Sequence, residues 1–247
     1  KRSARESLDC AVALQELVSM GVSNIITFDA HDPRVQNAIP LNGFDSVRPT
    51  YQMLKALMNN VPDIKIDKDN LMVVSPDEGA IGRSMYIASV CGIELGMFYK
   101  RRNYSIIVDG KNPIEAHEYL GKDLHGKDVI VVDDMIASGE SVLDLAEQLK
   151  EKGARRVFVF ATFGLFTSGP EKFDKAYEEG KIDRIFTTIL NYRAPAILER
   201  PWYTEVDMSK FVAYIIENMN QDASISTLLN PVERIHDLLE EVRGKNK

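Results

Sequence analysis

The sequence predicts an α/β protein built on a mainly parallel sheet, and three observations lead there. Residues 71–74, 129–132 and 156–161 are short runs of apolar character with few polar interruptions, as expected of strands buried on both faces. Helical periodicity alternates with them, most clearly where Val142, Leu145, Ala146 and Leu149 recur on one face. Chemically able residues also follow the apolar runs: Asp29 and His31 after 24–28, Asp77 after 71–74, and Asp133 and Asp134 after 129–132. Open parallel sheets bind ligands at that carboxyl edge.

The elements can be justified in chain order. Cys10, Ala13, Leu14, Leu17 and Val18 trace one face of a helix, and Gly21 is a suitable stop because glycine takes the left-handed conformation without a Cβ penalty. Residues 24–28 read as a strand. A helix is expected after Gly79, to about Cys91, and another carries the face Val142, Leu145, Ala146 and Leu149 and is closed by Gly153. Near the end, Asn230-Pro-Val-Glu233 has the pattern of an N-cap, proline at the first helical position and glutamate at the third. Val232, Ile235, Leu239 and Val242 continue it as a terminal helix. The polar stretch from 59 to 70 is the candidate boundary between two parts. The expected organisation is 1–60 as the remainder of one domain, 61–220 as a second, and 221–247 as a helical extension.

Bulk properties narrow the function. A net charge of -7 leaves no basic excess to meet a nucleic-acid backbone. Cys10 and Cys91 have neither CxxC nor metal-ligand spacing, which fits a reduced, cytoplasmic protein. No apolar run reaches the ~20 residues of a membrane span. Lys1 is not an initiator methionine, and a helix begins within a few residues of it. The expectation is therefore that the intact protein carries roughly a hundred further residues upstream, about one βαβ-rich half-domain.

The densest chemical signal is Val-Val-Asp133-Asp134-Met-Ile-Ala137-Ser138-Gly139-Glu140-Ser141, a strand, two acids, a small-residue turn and a helix start. Turn amides and a helix N-terminus make an anion cradle, to which Ser138 and Ser141 add hydroxyls. Two carboxylates beside such a cradle would repel a phosphate unless they served sugar hydroxyls or a metal ion. The plainer alternative is a turn whose acids cap the helix. Plainer readings exist elsewhere too: His31 as a hydrogen-bonded structural histidine, Asp77 as a helix cap, Lys100-Arg101-Arg102 as a solvated turn, and residues 1–7 as a disordered tail. Gly121-Lys-Asp-Leu-His-Gly126-Lys127-Asp128 approaches a Walker phosphate loop. However, Asp128 replaces the magnesium-binding Ser or Thr, and the segment precedes a strand, so it reads as a polar turn.

The 133–141 segment resembles the phosphoribosyl pyrophosphate loop of type I phosphoribosyltransferases and ribose-phosphate pyrophosphokinases, with Ala137 where the latter often carry an acid. Other segments resemble the pyrophosphokinases in order along the chain: Ser3-Ala-Arg5-Glu-Ser7, Asp29-Ala-His31, Ser75-Pro-Asp77-Glu-Gly79, Lys100-Arg101-Arg102, and residues 161–170, where Phe163 stands in place of the usual His and Thr167 is inserted. The resemblance implies two similar phosphoribosyltransferase-like domains, the first incomplete in this chain. It implies transfer of the pyrophosphoryl group of ATP to ribose 5-phosphate, with Mg2+ bound through His31 and Asp77. Sugar and phosphate would be held by Asp133, Asp134, Ala137, Ser138, Gly139, Glu140 and Ser141, and charge in the transition state met by Lys100, Arg102 and Arg5. A homo-oligomer, hexameric by resemblance, is implied as well. A phosphoribosyltransferase and a non-catalytic regulatory subunit remain as alternatives at this point.

Overall fold

The structure, a computed structural model, describes residues 7–102 and 114–245. Its contacts divide into two compact units, residues 1–48 and 49–247.

The smaller unit contains helix α1 (Asp9–Ser19), strands β1 (Asn24–Phe28) and β2 (Gly43–Val47), and a 3-10 turn at Pro33–Ala38. The strands are parallel, with Asn24 opposite Gly43 and Phe28 opposite Val47. Asp29 is buried at a φ of 44°, where its N–H donates to the Val47 carbonyl at 2.8 Å. The apolar face expected on α1 is present in the sequence but not enclosed: Leu14 is buried, whereas Cys10 and Leu17 are exposed.

The larger unit is laid out as α2 (Thr50–Asn60), β3 (Leu71–Ser75), α3 (Ile81–Cys91), β4 (Glu94–Arg102), β5 (Ile114–Leu120), β6 (Asp128–Ile136), α4 (Glu140–Glu151), β7 (Arg156–Gly164), α5 (Glu171–Glu178), β8 (Arg184–Thr188), the single turn α6 (Pro195–Leu198), β9 (Tyr203–Val206), α7 (Ser209–Asn220), the short α8 (Ser226–Leu229) and α9 (Val232–Lys245). Its sheet has the order β5-β4-β3-β6-β7-β8-β9. Every pairing is parallel except β4 with β5. The runs read as buried strands are buried: all of β3, residues 128–132 of β6 and residues 157–162 of β7. Helices cover the sheet because their apolar stripes have nowhere else to go; in α4 the buried residues are Val142, Leu145, Ala146 and Leu149.

Residues 59–70 do not form a linker. Val61, Ile64 and Ile66 are buried, and Asp67 ties the turn by accepting from the backbone N–H groups of Asp69 and Asn70. Helix α2 accordingly belongs to the larger unit. Helix α9 packs on α2 and α3 and buries Ile235 and Leu239, so the C-terminal stretch is also part of this body. Residues 121–127 form a turn into β6, as the Walker comparison suggested. Among the described residues, no helix is long and apolar enough to cross a membrane.

Asp128 anchors the amino end of β6. Its carboxylate is fully buried and accepts from Arg155 at 2.5 and 2.8 Å and from Arg156 at 2.7 and 3.1 Å, and Arg156 continues to Asp63 at 3.0 Å. Burial pushes this carboxyl up in pKa, but the two guanidinium groups outweigh it and hold the acid below its ordinary value. Replacing Asp128→Asn keeps the shape and loses charge-assisted bonds. In urea denaturation the variant is expected to lose about 1–3 kcal/mol, with the midpoint lowered and the slope unchanged.

Candidate functional site

The sheet reverses its direction of growth between β3 and β6: from β3 the chain moves outward to β4 and β5, and from β6 it moves the other way to β7, β8 and β9. Such a switch point opens a crevice at the carboxyl ends of the two strands. The registers show it. The β3–β6 ladder ends at Val74 opposite Val131, whereas the β6–β7 ladder continues to Ile136 opposite Gly164. Asp133 and Asp134 therefore lie past the point where β3 has turned away.

The loop after β6 is built for close approach. Gly139 has a φ of 86°, and a Cβ there would stand 2.0 Å from the Phe173 ring, so both backbone and space demand glycine. Phe173 is fully buried, stacked on Trp202 at 5.2 Å and edge-on to Phe166 at 5.1 Å, giving the loop an aromatic floor. The Ile136 carbonyl accepts from the N–H of Leu165 at 2.9 Å, and the Ala137 carbonyl accepts from that of Thr167 at 3.0 Å. The loop's acceptors thus turn toward the segment after β7. Gly139, at the N-cap of α4, has no side chain to cap the helix, and the Glu140 N–H donates only a long bond, 3.5 Å, to the Ser138 hydroxyl. Glu140 is drawn aside into an ion pair with Lys172 at 2.6 Å, which holds its carboxyl below the ordinary range. Uncapped amides, a helix N-terminus and an acid turned away are what an anion needs.

The two acids lie in unequal surroundings. Arg83, in the first turn of α3, directs Nη1 to Asp134 Oδ1 at 2.9 Å and to Asp133 Oδ1 at 3.4 Å. The Asp134 side chain is 4% exposed and that of Asp133 is 33% exposed. Burial first, then the hydrogen bond with the Asp134 carboxyl and its repulsion, push Asp133 up to about 7, against the pull of the Asp134 N–H and Arg83. Arg83 is the residue that sequence reasoning missed. It is the one charged residue of helix 81–91, but no local pattern points to its partners, fifty residues away in sequence.

Asp77 lies in the turn after β3, where its Oδ1 accepts from the Ala80 N–H at 3.1 Å and its carbonyl accepts from the buried Ser75 hydroxyl at 2.8 Å. The bond reaches the residue before the first turn of α3, and no side chain caps that helix itself. His31 is exposed and belongs to the smaller unit. Lys100 and Arg102 are at the carboxyl end of β4, on the same edge of the sheet as Asp77. Their side chains, and all of Arg5, lie outside the described residues. Phe163 is half-buried at the end of β7, paired across the ladder with Met135. Among the described residues, no group of three or more His, Cys, Asp or Glu side chains is arranged to hold a metal ion.

The raised Asp133 carboxyl has a consequence for stability. Between its ordinary pKa of 3.8 and about 7, the folded protein holds a proton that the unfolded chain has released. That contribution is complete below about pH 4 and lost as the pH climbs through about 7. Asp133→Asn should thus match the parent in thermal midpoint near pH 4 and gain on it by pH 8. Parallel curves for the two proteins would show that Asp133 has an ordinary pKa.

Known proteins resemble this chain in sequence and in fold. The family model of the phosphoribosyl synthetase-associated domain matches residues 104–230. The ribose-phosphate pyrophosphokinase of Pasteurella multocida is 31% identical over 231 residues, 92% of this chain and 67% of that protein. That of Ureaplasma parvum is 30% identical over 186 residues, 75% of this chain and 53% of that protein. The chain thus spans about half to two thirds of the length of these relatives. The crystal structure of phosphoribosylpyrophosphate synthetase from Mycobacterium smegmatis shares the fold, with a TM-score of 0.71 at 22% identity over 89% of this chain and 66% of that one. The parallel sheet, its switch point and the sequence matches together make this chain a member of the ribose-phosphate pyrophosphokinase family.

Proposed function

We propose that this chain carries the sugar-phosphate site of an enzyme that transfers the pyrophosphoryl group of ATP to ribose 5-phosphate, giving phosphoribosyl pyrophosphate and AMP. The observation that supports it most is the pairing of two opposite environments at one switch point: an uncapped helix N-terminus for the 5-phosphate, and the acids Asp133 and Asp134 for the sugar hydroxyls. In the reaction, the anomeric hydroxyl oxygen bonds to the β-phosphorus, the bond from that phosphorus to the α-phosphate oxygen breaks, and AMP leaves. The protein's task is alignment and neutralisation of charge. Ala137, Ser138, Gly139 and Ser141 frame the phosphate; Lys100 and Arg102 meet the charge that develops on the transferring group.

The residues present fit a magnesium ion that arrives with nucleotide. Asp77 offers a hard carboxylate, and Mg2+ commonly completes its shell with phosphate oxygens and water. When bound, it would supply Lewis-acid polarisation of the phosphates. A cytoplasmic homo-oligomer belongs to the same reading, by family resemblance.

The full-length protein, given ATP, Mg2+ and ribose 5-phosphate, is expected to release AMP. Release of inorganic pyrophosphate with a free base and phosphoribosyl pyrophosphate would identify a transferase instead, and neither activity would point to a regulatory subunit. Within the enzyme, Asp133→Ala should weaken ribose 5-phosphate by about 1.5–3 kcal/mol, read as a rise in its KM. Lys100→Ala should lower turnover far more than it raises either KM, since a transition-state contact is lost.

A further inference from the structure

We propose that Arg83 is the positioning residue of the acid pair: its guanidinium closes over Asp134 and leaves Asp133 as the acid that meets the sugar hydroxyls. This rests on the ribose 5-phosphate reading of the site. The contacts are unequal, 2.9 Å to Asp134 and 3.4 Å to Asp133, and so is the access, 4% against 33% of each side chain. An arginine that is itself 9% exposed does not swing out to solvent to release its partner. Asp133 Oδ1 also accepts the N–H of Asp134 at 2.9 Å, so that oxygen is held by backbone and guanidinium together. The more open carboxylate is thereby fixed in rotamer before any ligand arrives, and an aligned acceptor spares the ordering cost of binding.

Arg83 also joins two motifs. It sits in the first turn of α3, directly after the turn in which Asp77 accepts the Ala80 N–H. The Asp77 segment and the acid pair are therefore one block with Arg83 as the strut. The charges that act on Asp133 are Asp134, from its own strand, and Arg83, from the helix packed against β6. Two acids this close cannot both stay ionised without a cation. Lysine in place of Arg83 would keep the charge but lose the planar fork that sets direction.

The test uses the full-length protein in three forms, Arg83→Met, Arg83→Lys and the double variant Arg83→Met with Asp134→Asn, which removes both partners of the closed pair. Arg83→Met is expected to raise the KM for ribose 5-phosphate at least about tenfold while the KM for ATP stays within about twofold. It should also move the acidic limb of kcat/KM to higher pH. Arg83→Lys should restore the limb and only part of the affinity. The double variant, free of an unpaired buried charge, should fold and recover most of the affinity lost in Arg83→Met, because Asp133 is still present. A normal KM in folded Arg83→Met, or a double variant that binds ribose 5-phosphate no better than the single one, would overturn the assignment. Should the parent itself neither bind ribose 5-phosphate nor release AMP, the functional reading fails, and carboxyl NMR titration then decides on Arg83 alone. An Asp133 pKa that rises in Arg83→Met supports the strut, and an unchanged one removes it.

Discussion

Everything chemical in the larger unit depends on the parting of β3 from β6. A parallel sheet satisfies its backbone through neighbouring strands, and it is stable where those neighbours persist. Here β6 keeps β7 for its whole length but loses β3 after Val131. The side left open is where two acids can be tolerated in a strand that is otherwise apolar, and where a helix from the neighbouring crossover can send in a cation. The amino end of the same strand solves the opposite problem, with a buried Asp128 clamped by two arginines. One end of β6 is therefore built to be immobile, and the other to be finished by what binds there.

Electrostatically, the site combines demands that would conflict if placed without order. A phosphate cradle should be free of negative charge, yet two carboxylates stand a few residues before it. The structure separates them. Glu140, the acid nearest the helix start, is turned to Lys172 on α5; Asp134 is covered by Arg83; and burial beside Asp134 pushes the Asp133 carboxyl up to about 7. The amides at the N-terminus of α4 then face a region of reduced negative charge, even though the local sequence is acidic.

Much of this could be read from residues alone, and the reasons for the gaps are physical. The buried runs 71–74, 129–132 and 156–161 were legible because parallel sheets need unbroken apolar runs, and α4 because its stripe is complete; the extension of β6 to Ile136 and of β7 to Gly164 was not. The β4–β5 pair and the short β8 and β9 were not, since their sequences mix polar with apolar residues over too few positions to show a distinctive period. In α1 the period was right, yet only Leu14 of its stripe is buried: a stripe reports helical geometry, not what covers it. The acid pair and the glycine turn were legible as local chemistry. Arg83 was not, because its partners are fifty residues away in sequence, and a lone arginine in a helix ordinarily snorkels to solvent. Nor did any local pattern announce the aromatic floor, which gathers Phe166, Phe173 and Trp202 from three separate segments.

That floor gives the protein an optical property. Trp202 is the sole tryptophan of the chain, fully buried, with its indole N–H donating to Asp174 at 2.7 Å. Its ring lies against Phe173, the same ring that blocks any side chain at Gly139. Indole emission is sensitive to small changes in the packing and polarity around the ring, and here a single fluorophore sits one aromatic layer beneath the anion loop. Within this chain, the anion loop and its one indole share the Phe173 ring, so a shift of that ring on loop occupancy would be read in Trp202 emission.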